Sequence, residues 1–288
     1  MRITQTFTAG LFAIAIAPIS FAQDQDTSST KADRAPAPAA SSGPLTFKPS
    51  VSVGFDYSQG DFGDANGLDT TVLSVPVSGR VDVGDFRFSV SGAWVQIEGP
   101  GGVLPGGVVI DGAVDGGDVV DAIPELETNS GFGDLTLGVN YNIPSEHTGK
   151  FIVQLQGRLK IPTGSTADGL STGEIDGGGA VDVAYDLGKF TPFVTAGYRF
   201  RGDPDGADLN NTFNLSVGGS YNLGKGYALL GSYDFRQATT DTADESQEIF
   251  GAVTGKLTDN LRWTLYGSVG FTDGAPDQGA GFQLTASF

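Results

Sequence analysis

The most constraining feature of this sequence is an alternation of apolar and polar residues with a period of two, which recurs from Phe47 to the end of the chain. Successive side chains of a β-strand point to opposite faces, so each such segment presents one apolar face. In the last segment, Phe282, Leu284, Ala286 and Phe288 share a face. The segments are about ten residues long, which is the length that a tilted strand needs to cross a bilayer.

The segments number about twelve, and the connections between them alternate in length. The short connections are Gly84-Asp85, Pro144–Lys150, Gly188-Lys189, Gly224–Gly226 and Thr258–Asn260. The others run from about eight residues, at Thr272–Gly279, to about thirty, at Gly99–Gly131. Short turns on one rim, long loops on the other and an even strand count are typical of membrane barrels. The sequence therefore predicts an all-β fold, a transmembrane antiparallel up-and-down β-barrel of about twelve strands.

Aromatic residues cluster at the ends of these segments, as expected where amphipathic rings lie at headgroup depth. At the ends beside the short turns, which we expect to be periplasmic, are Phe86, Tyr141, Phe151, Tyr185, Tyr221, Tyr227, Trp263 and Phe288. At the outer ends are Tyr57, Trp94, Tyr198, Phe200, Phe213, Tyr233, Phe235 and Phe271. The β-propensity of aromatic residues explains their presence in strands but not this placement.

The chain divides into three parts by composition. Residues 1–22 carry one early basic residue, an apolar run and small residues before a cut after Ala22, a pattern that predicts a secretory signal peptide. Residues 23–45 are polar and rich in Ala, Pro and Ser, which predicts a disordered periplasmic leader. Residues 46–288 form the predicted barrel, and we expect it to lie in a bacterial outer membrane.

Charge and cysteine content exclude several classes of function. The net charge of -18 argues against a nucleic-acid partner, which requires basic residues to neutralise phosphates. The absence of cysteine removes disulfides, thiolate metal sites and cysteine nucleophiles. The single histidine, His147, falls in the predicted periplasmic turn, away from the outer leaflet where a lipid hydrolase of this membrane would act. We therefore predict no enzyme, no catalytic or metal-binding residues and no cofactor.

The face of the strands opposite the apolar one is polar, and we predict that it lines a pore. The candidate pore-lining residues are Arg80, Arg87, Gln154, Gln156, Arg158, Lys160, Arg199, Arg201, Asp234, Arg236, Lys256 and Arg262. Basic groups in a narrow channel would favour anionic solutes. The alternative is that they pair with Asp182, Asp234 and Glu248 and stiffen the barrel.

Five apolar side chains also point inward by the same alternation, namely Ile152, Phe193, Leu230, Phe250 and Tyr266. They would either line a path for hydrophobic or aromatic solutes or fill a narrow lumen.

The long loops hold most of the acidic residues, including the run Asp203–Asp208. Such loops could bind divalent cations that bridge to lipopolysaccharide phosphates, although the run lacks the frame of an EF-hand and solvated loops are the favoured interpretation. The expected partners are outer-membrane lipid and lipopolysaccharide, a small-molecule solute, and the barrel assembly machinery through the strand that ends at Phe288.

Three passages resemble the outer-membrane transporter family named for the meta-pathway of phenol degradation. They are Gly131–Gly138 (GFGDLTLG), Lys160–Gly164 (KIPTG) and Thr272–Asp277 (TDGAPD), within a similarity over about residues 130–288. The resemblance implies passage of small aromatic or hydrophobic molecules and supplies no binding residues.

We expect an outer-membrane channel for passive passage of small solutes, either anionic or aromatic and hydrophobic. The alternative is a structural or adhesive barrel with a blocked lumen and acidic loops, and an outer-membrane hydrolase is disfavoured.

Overall fold

The computed structural model describes residues 47–62, 67–100, 103–104, 108–109, 126–204 and 206–288. Its strands are β1 Phe47–Gly60, β2 Thr70–Val83, β3 Phe86–Gly99, β4 Val103–Leu104, β5 Val108–Val109, β6 Glu127–Phe132, β7 Leu135–Ile143, β8 Phe151–Ile161, β9 Asp176–Tyr185, β10 Phe190–Phe200, β11 Thr212–Gly224, β12 Tyr227–Arg236, β13 Ser246–Lys256, β14 Leu261–Gly270 and β15 Gln278–Ser287. One short helix, α1, spans Ser145–Thr148. In the described part of the chain, no helix has the length and apolarity that crossing a membrane requires.

The sheet closes on itself. β15 pairs antiparallel with its predecessor β14 and also with the first strand, where Phe282 lies opposite Phe55. β3 pairs with β6 along one half of its length and with β7 along the other, so β6 and β7 together make one barrel strand. The result is a closed antiparallel barrel of 12 strands, which confirms the predicted fold.

Burial is inverted relative to a water-soluble protein. On β1 the apolar side chains Val53 and Phe55 are 45% and 51% exposed. Ser50 and Ser52, which lie on the opposite face of the strand, are both buried. The same alternation repeats along the other strands of the barrel, where large apolar residues face outward and polar residues face inward. An outward apolar surface is stable against lipid chains and unfavourable against water.

The two rims differ as predicted. The short connections lie at one end of the barrel, which we call the short-turn rim, and include the α1 turn that carries His147. The opposite end, the long-loop rim, carries the connections that follow β1, β3, β8, β10, β12 and β14. Tight pairs of rings, Phe86 with Tyr141 and Phe151 with Tyr185, lie at the short-turn rim with centroids 4.9 Å apart in each case.

One predicted boundary was wrong. The stretch Gly99–Gly131 was expected to be a loop, but residues 127–131 belong to the strand β6, and the short strands β4 and β5 pair antiparallel within the stretch. The polar sequence of β6, ETNSGF, hides its strand character because an outer barrel strand above the lipid need not carry an apolar face. The signal peptide, the leader and several loop acids, among them Asp64, Asp111–Glu125 and Asp205, lie outside the described residues and stay predictions.

Candidate functional site

A continuous row of polar side chains crosses the inner wall of the barrel from rim to rim. Each member pairs in register with the next on the neighbouring strand. The row, which we call the polar ladder, consists of Asn142, Gln154, Asp182, Thr195, Ser216, Asp234 and Glu248. It begins on β7 beside the short-turn rim and ends on β13 beside the long-loop rim, because strand tilt converts a row of neighbours into a spiral.

Hydrogen bonds join three pairs of neighbours in the ladder. Gln154 Nε2 donates to Asn142 Oδ1 at 2.7 Å, and the Thr195 hydroxyl donates to Asp182 Oδ1 at 2.7 Å. Farther along, the Ser216 and Ser232 hydroxyls both donate to the Asp234 carboxylate. These hydrogen bonds hold the carboxylates and amides in fixed orientations on the inner wall, where most of the ladder side chains are buried.

An apolar stripe runs directly beside the polar ladder, on the side toward the short-turn rim. It is one cluster of buried side chains on β9, β10 and β12–β14, with Ile152 packed against it. Its members are Ala184, Phe193, Ala228, Leu230, Phe250, Ala252 and Tyr266. Phe250 is 1% exposed and its ring lies 6.1 Å from that of Tyr266, centroid to centroid. The five apolar residues predicted to point inward therefore meet in one place.

Lys160 belongs to a buried ion cluster rather than to an open basic surface. Its Nζ lies 3.1 Å from Asp134 Oδ2 and 3.3 Å from Asp176 Oδ2, and all three side chains are buried. Lys160 Nζ also donates to Thr172 Oγ1 at 2.8 Å. Two carboxylates face one ammonium group, so this part of the lumen carries no excess of positive charge. This pairing could not be predicted from the sequence, because Asp134 and Asp176 are distant from Lys160 along the chain.

The basic residues nearest the short-turn rim also have partners in the barrel wall. Arg87 contacts Asp82 through two hydrogen bonds, of 2.5 Å from Nε and 3.2 Å from Nη2. Arg80 Nε donates to Ser50 Oγ at 2.6 Å. Lys256 Nζ lies 3.6 Å from Asp259 Oδ1, a residue of the adjoining turn that is almost fully exposed.

Of the remaining predicted pore-lining residues, Arg262 lies near the short-turn rim opposite Lys256, and Gln154 lies opposite Asn142. The others lie on the inner face at mid-height or toward the long-loop rim. Gln154 and Gln156 are buried and bonded to each other at 3.2 Å, and Arg158 Nη2 donates to Gln156 at 3.3 Å. Arg236 Nη2 reaches the Gly274 carbonyl of the last long loop at 3.4 Å. None of Arg158, Arg199, Arg201, Asp234, Arg236 and Arg262 is without a partner in the protein. Their role in lining a pore stays a prediction.

The seam between the first and last strands carries a contact that the sequence did not reveal. The Tyr266 hydroxyl on β14 donates to Asp56 Oδ1 on β1, and Ser74 Oγ on β2 donates to the other oxygen of Asp56 at 3.3 Å. The Tyr266–Asp56 contact passes over Gly281 of β15, the neighbour of both strands. A residue with no side chain is needed there, since a Cβ at Gly281 would lie 2.5 Å from Asp56 Oδ1.

The acidic loops do not form a metal site within the residues that the structure describes, where no group of three or more potential ligands comes together. At the long-loop rim, partial burial and the nearby carboxylates of Asp61, Asp69 and Asp273 raise the pKa of Asp277 above its ordinary value. The carboxylates of these loops therefore repel one another, as expected of solvated acidic loops.

Comparisons with solved structures agree with the architecture. The chain is similar to a COG4313 outer membrane channel from Pseudomonas putida F1, with a TM-score of 0.64 and 14% identity over 86% of this chain and 98% of that one. It is also similar to the NanC porin, with a TM-score of 0.51 and 10% identity over 83% of this chain and 98% of that one. At these identities the likeness establishes the fold alone. No curated protein matches the sequence.

A family model matches residues 59–288, so the similarity extends over β2 and β3, beyond the part in which family phrases were recognised from the sequence. The closed barrel, its outward apolar surface and its outer-membrane relatives together locate the protein in the bacterial outer membrane, among lipid and lipopolysaccharide. The chain belongs to the family described as "Putative MetA-pathway of phenol degradation".

Proposed function

We propose that the protein is a passive outer-membrane channel for small solutes that combine a polar group with an aromatic or other apolar group. The observation that carries this proposal is the position of the apolar stripe directly beside the polar ladder, both on the inner wall. A polar group of the solute would exchange hydrogen bonds with the ladder while its apolar part passes Phe193, Leu230 and Phe250. These side chains are buried against one another, so they would have to move apart as the solute passes. Transient contacts of this kind permit both entry and release.

A purely anionic solute is a weaker candidate. Lys160 is balanced by two carboxylates and Arg87 by one, and Asp182, Asp234 and Glu248 add negative charge along the polar ladder. The basic residues Arg158, Arg199, Arg201 and Arg262 remain candidates for orientating a carboxylate as it passes. They would act together with the acidic residues rather than as an isolated basic ring.

The test compares the entry rates of two zwitterionic amino acids, phenylalanine and serine. Both carry the same charged ammonium and carboxylate groups, and neither crosses a lipid bilayer readily by itself. In liposomes containing the protein, we expect phenylalanine to enter at least as fast as serine despite its larger size. In the Leu230→Ala/Phe250→Ala variant, the ratio of the phenylalanine rate to the serine rate should fall about threefold. The ring of the phenylalanine solute loses part of its contact with the apolar stripe, which costs on the order of 1 kcal/mol.

The matched control is Leu229→Ala/Ile249→Ala, which removes comparable side chains from the lipid-facing positions next to them and should leave the ratio unchanged. Entry of serine with exclusion of phenylalanine by the wild-type protein would contradict the proposed solute class. Entry of neither would favour the second candidate, a barrel whose lumen is blocked and whose acidic loops bind a partner.

Export and assembly are proposed on the sequence. Residues 1–22 would direct secretion, and the strand that ends at Phe288 would be recognised by the barrel assembly machinery. In the folded barrel, the Phe288 amide bonds to the Pro49 carbonyl of the first strand at 2.9 Å, so this end of the chain takes part in closure.

A further inference from the structure

The connection between β8 and β9, residues 162–175, folds back against the inner wall of the barrel at the long-loop rim. Leu170 of this loop is 1% exposed and belongs to a second apolar cluster. The other members are Phe62, Val72, Ala93, Val95 and Ile97, with Val103 packed against them. Val72, Ala93, Val95 and Ile97 occupy inward-facing positions of β2 and β3, so the cluster lies within the outer mouth of the barrel.

The two ends of the loop are fixed to the barrel by the buried ion cluster. Asp134 Oδ1 accepts hydrogen bonds from the amides of Thr163 and Gly164, at 3.1 and 3.0 Å, at the start of the loop. Near its end, Thr172 accepts the bond from Lys160 Nζ. Residues between these anchors form a compact turn, in which the Leu170 amide donates to the Ser165 carbonyl at 2.8 Å.

Glycines provide the space in which Leu170 lies. A Cβ built on Gly131 of β6 would be 2.7 Å from Leu170 Cδ1, closer than real contacts allow. A Cβ on Gly164 would be 2.7 Å from the Leu170 carbonyl oxygen and 3.2 Å from Gly133 Cα. The loop therefore approaches β6 to a distance that only glycine permits at these positions.

The loop also has room to move. A cavity of about 240 Å³ lies beside it, bounded by Thr166–Gly169 of the loop, by Ile97 and Gly99 of β3, and by Glu127 and Asn129 of β6. Anchored ends, a short turn between them and an adjacent space are the features of a segment that can change position without unfolding the barrel.

We propose that Leu170 limits access to the channel from the outer side, and that its contact with Gly131 holds the 162–175 loop in the restricting position. This inference rests on the proposed channel function and adds the residue that sets permeability. The Leu170 side chain fills space at the mouth of the barrel, so removing or displacing this side chain should widen the entrance.

The first test measures accessibility and does not require conduction. The chain has no cysteine, so Ala93→Cys introduces a single thiol beneath Leu170. Its rate of modification by a membrane-impermeant thiosulfonate should be at least about tenfold higher when Leu170→Ala is also present, since a buried thiol reacts only when exposed. Equal rates with and without Leu170→Ala would overturn the inference, whether or not the barrel conducts ions.

The second test compares three variants and one control variant in planar bilayers. Leu170→Ala and Gly131→Ala should each raise single-channel conductance about twofold, by removing or by displacing the same side chain. In the Leu170→Ala background, Gly131→Ala should add nothing, because the atom with which its Cβ collides is gone. Gly251→Ala, at a lipid-facing position with no atom within 4 Å, is the control and should behave as wild type.

The two tests separate failure of the inference from failure of the proposed function. Faster modification of Ala93→Cys in a barrel that stays silent in bilayers would support the role of Leu170 and contradict the channel. Wild-type conduction that is unchanged by both Leu170→Ala and Gly131→Ala would support the channel and overturn the role of Leu170.

Discussion

Replacing Lys160 by methionine is expected to lower the free energy of unfolding of the barrel by about 3 to 5 kcal/mol, because it leaves two buried carboxylates without their shared cation. Asp134 and Asp176 each lie within 3.3 Å of Lys160 Nζ. Asp134 also binds the Thr163 and Gly164 amides, so the effect should reach the loop as well as the strands. The measurement is the urea midpoint of the folded band, which runs faster than the unfolded band on a gel.

The matched control is Lys256→Met, which removes an ammonium group 3.6 Å from an exposed aspartate in a turn. Exposed ion pairs contribute little, so its midpoint should stay close to wild type. The double variant Asp134→Asn/Lys160→Met should recover part of the loss, since one buried charge remains instead of two. A midpoint for Lys160→Met equal to that of Lys256→Met would show that the buried cluster does not stabilise the barrel.

The second large effect is expected at the seam between the first and last strands. Gly281→Ala would introduce a Cβ 2.5 Å from both Asp56 Oδ1 and Tyr266 Cε2. The Tyr266 ring is held by Phe250, so it cannot move away without disturbing the apolar stripe. Overpacking of this kind costs about 1 to 3 kcal/mol, which the same urea titration would detect.

Gly251→Ala is again the appropriate control, because the added methyl group meets no atom within 4 Å. In an Asp56→Ser background, the cost of Gly281→Ala should be smaller, since the shorter side chain frees one of the two colliding positions. An equal cost in both backgrounds would mean that the destabilisation does not arise from the Tyr266–Asp56 contact.

The barrel itself could be predicted from the sequence because its cause is local. Alternation along each strand, as in Val51, Val53 and Phe55, fixes which side chains face outward, and loop length fixes the direction of each strand. The inward direction of Phe193, Leu230 and Phe250 follows from the same period. Their assembly into one stripe with Tyr266 additionally depends on the register between strands, which the alternation only partly constrains.

The ion cluster and the loop over the mouth could not be predicted, because they depend on contacts between distant parts of the chain. Two of the passages that carry the family resemblance, one around Gly131–Asp134 and one around Lys160–Gly164, contact each other through the Asp134 carboxylate. Read separately, each phrase is a short glycine-rich segment. The predicted basic lining likewise could not include the neutralising partners of Lys160. Asp134 immediately precedes β7 and Asp176 begins β9, and no local charge pattern links either residue to Lys160.

Single-channel recording of the refolded protein in planar bilayers in potassium chloride shows whether this barrel is a channel. The gel shift first establishes that the barrel is folded. We expect discrete, long-lived conductance steps for the wild-type protein, with larger steps for Phe250→Ala and Leu170→Ala because both side chains lie within the lumen. Silence of the folded wild-type protein and of both variants would contradict the proposed channel function.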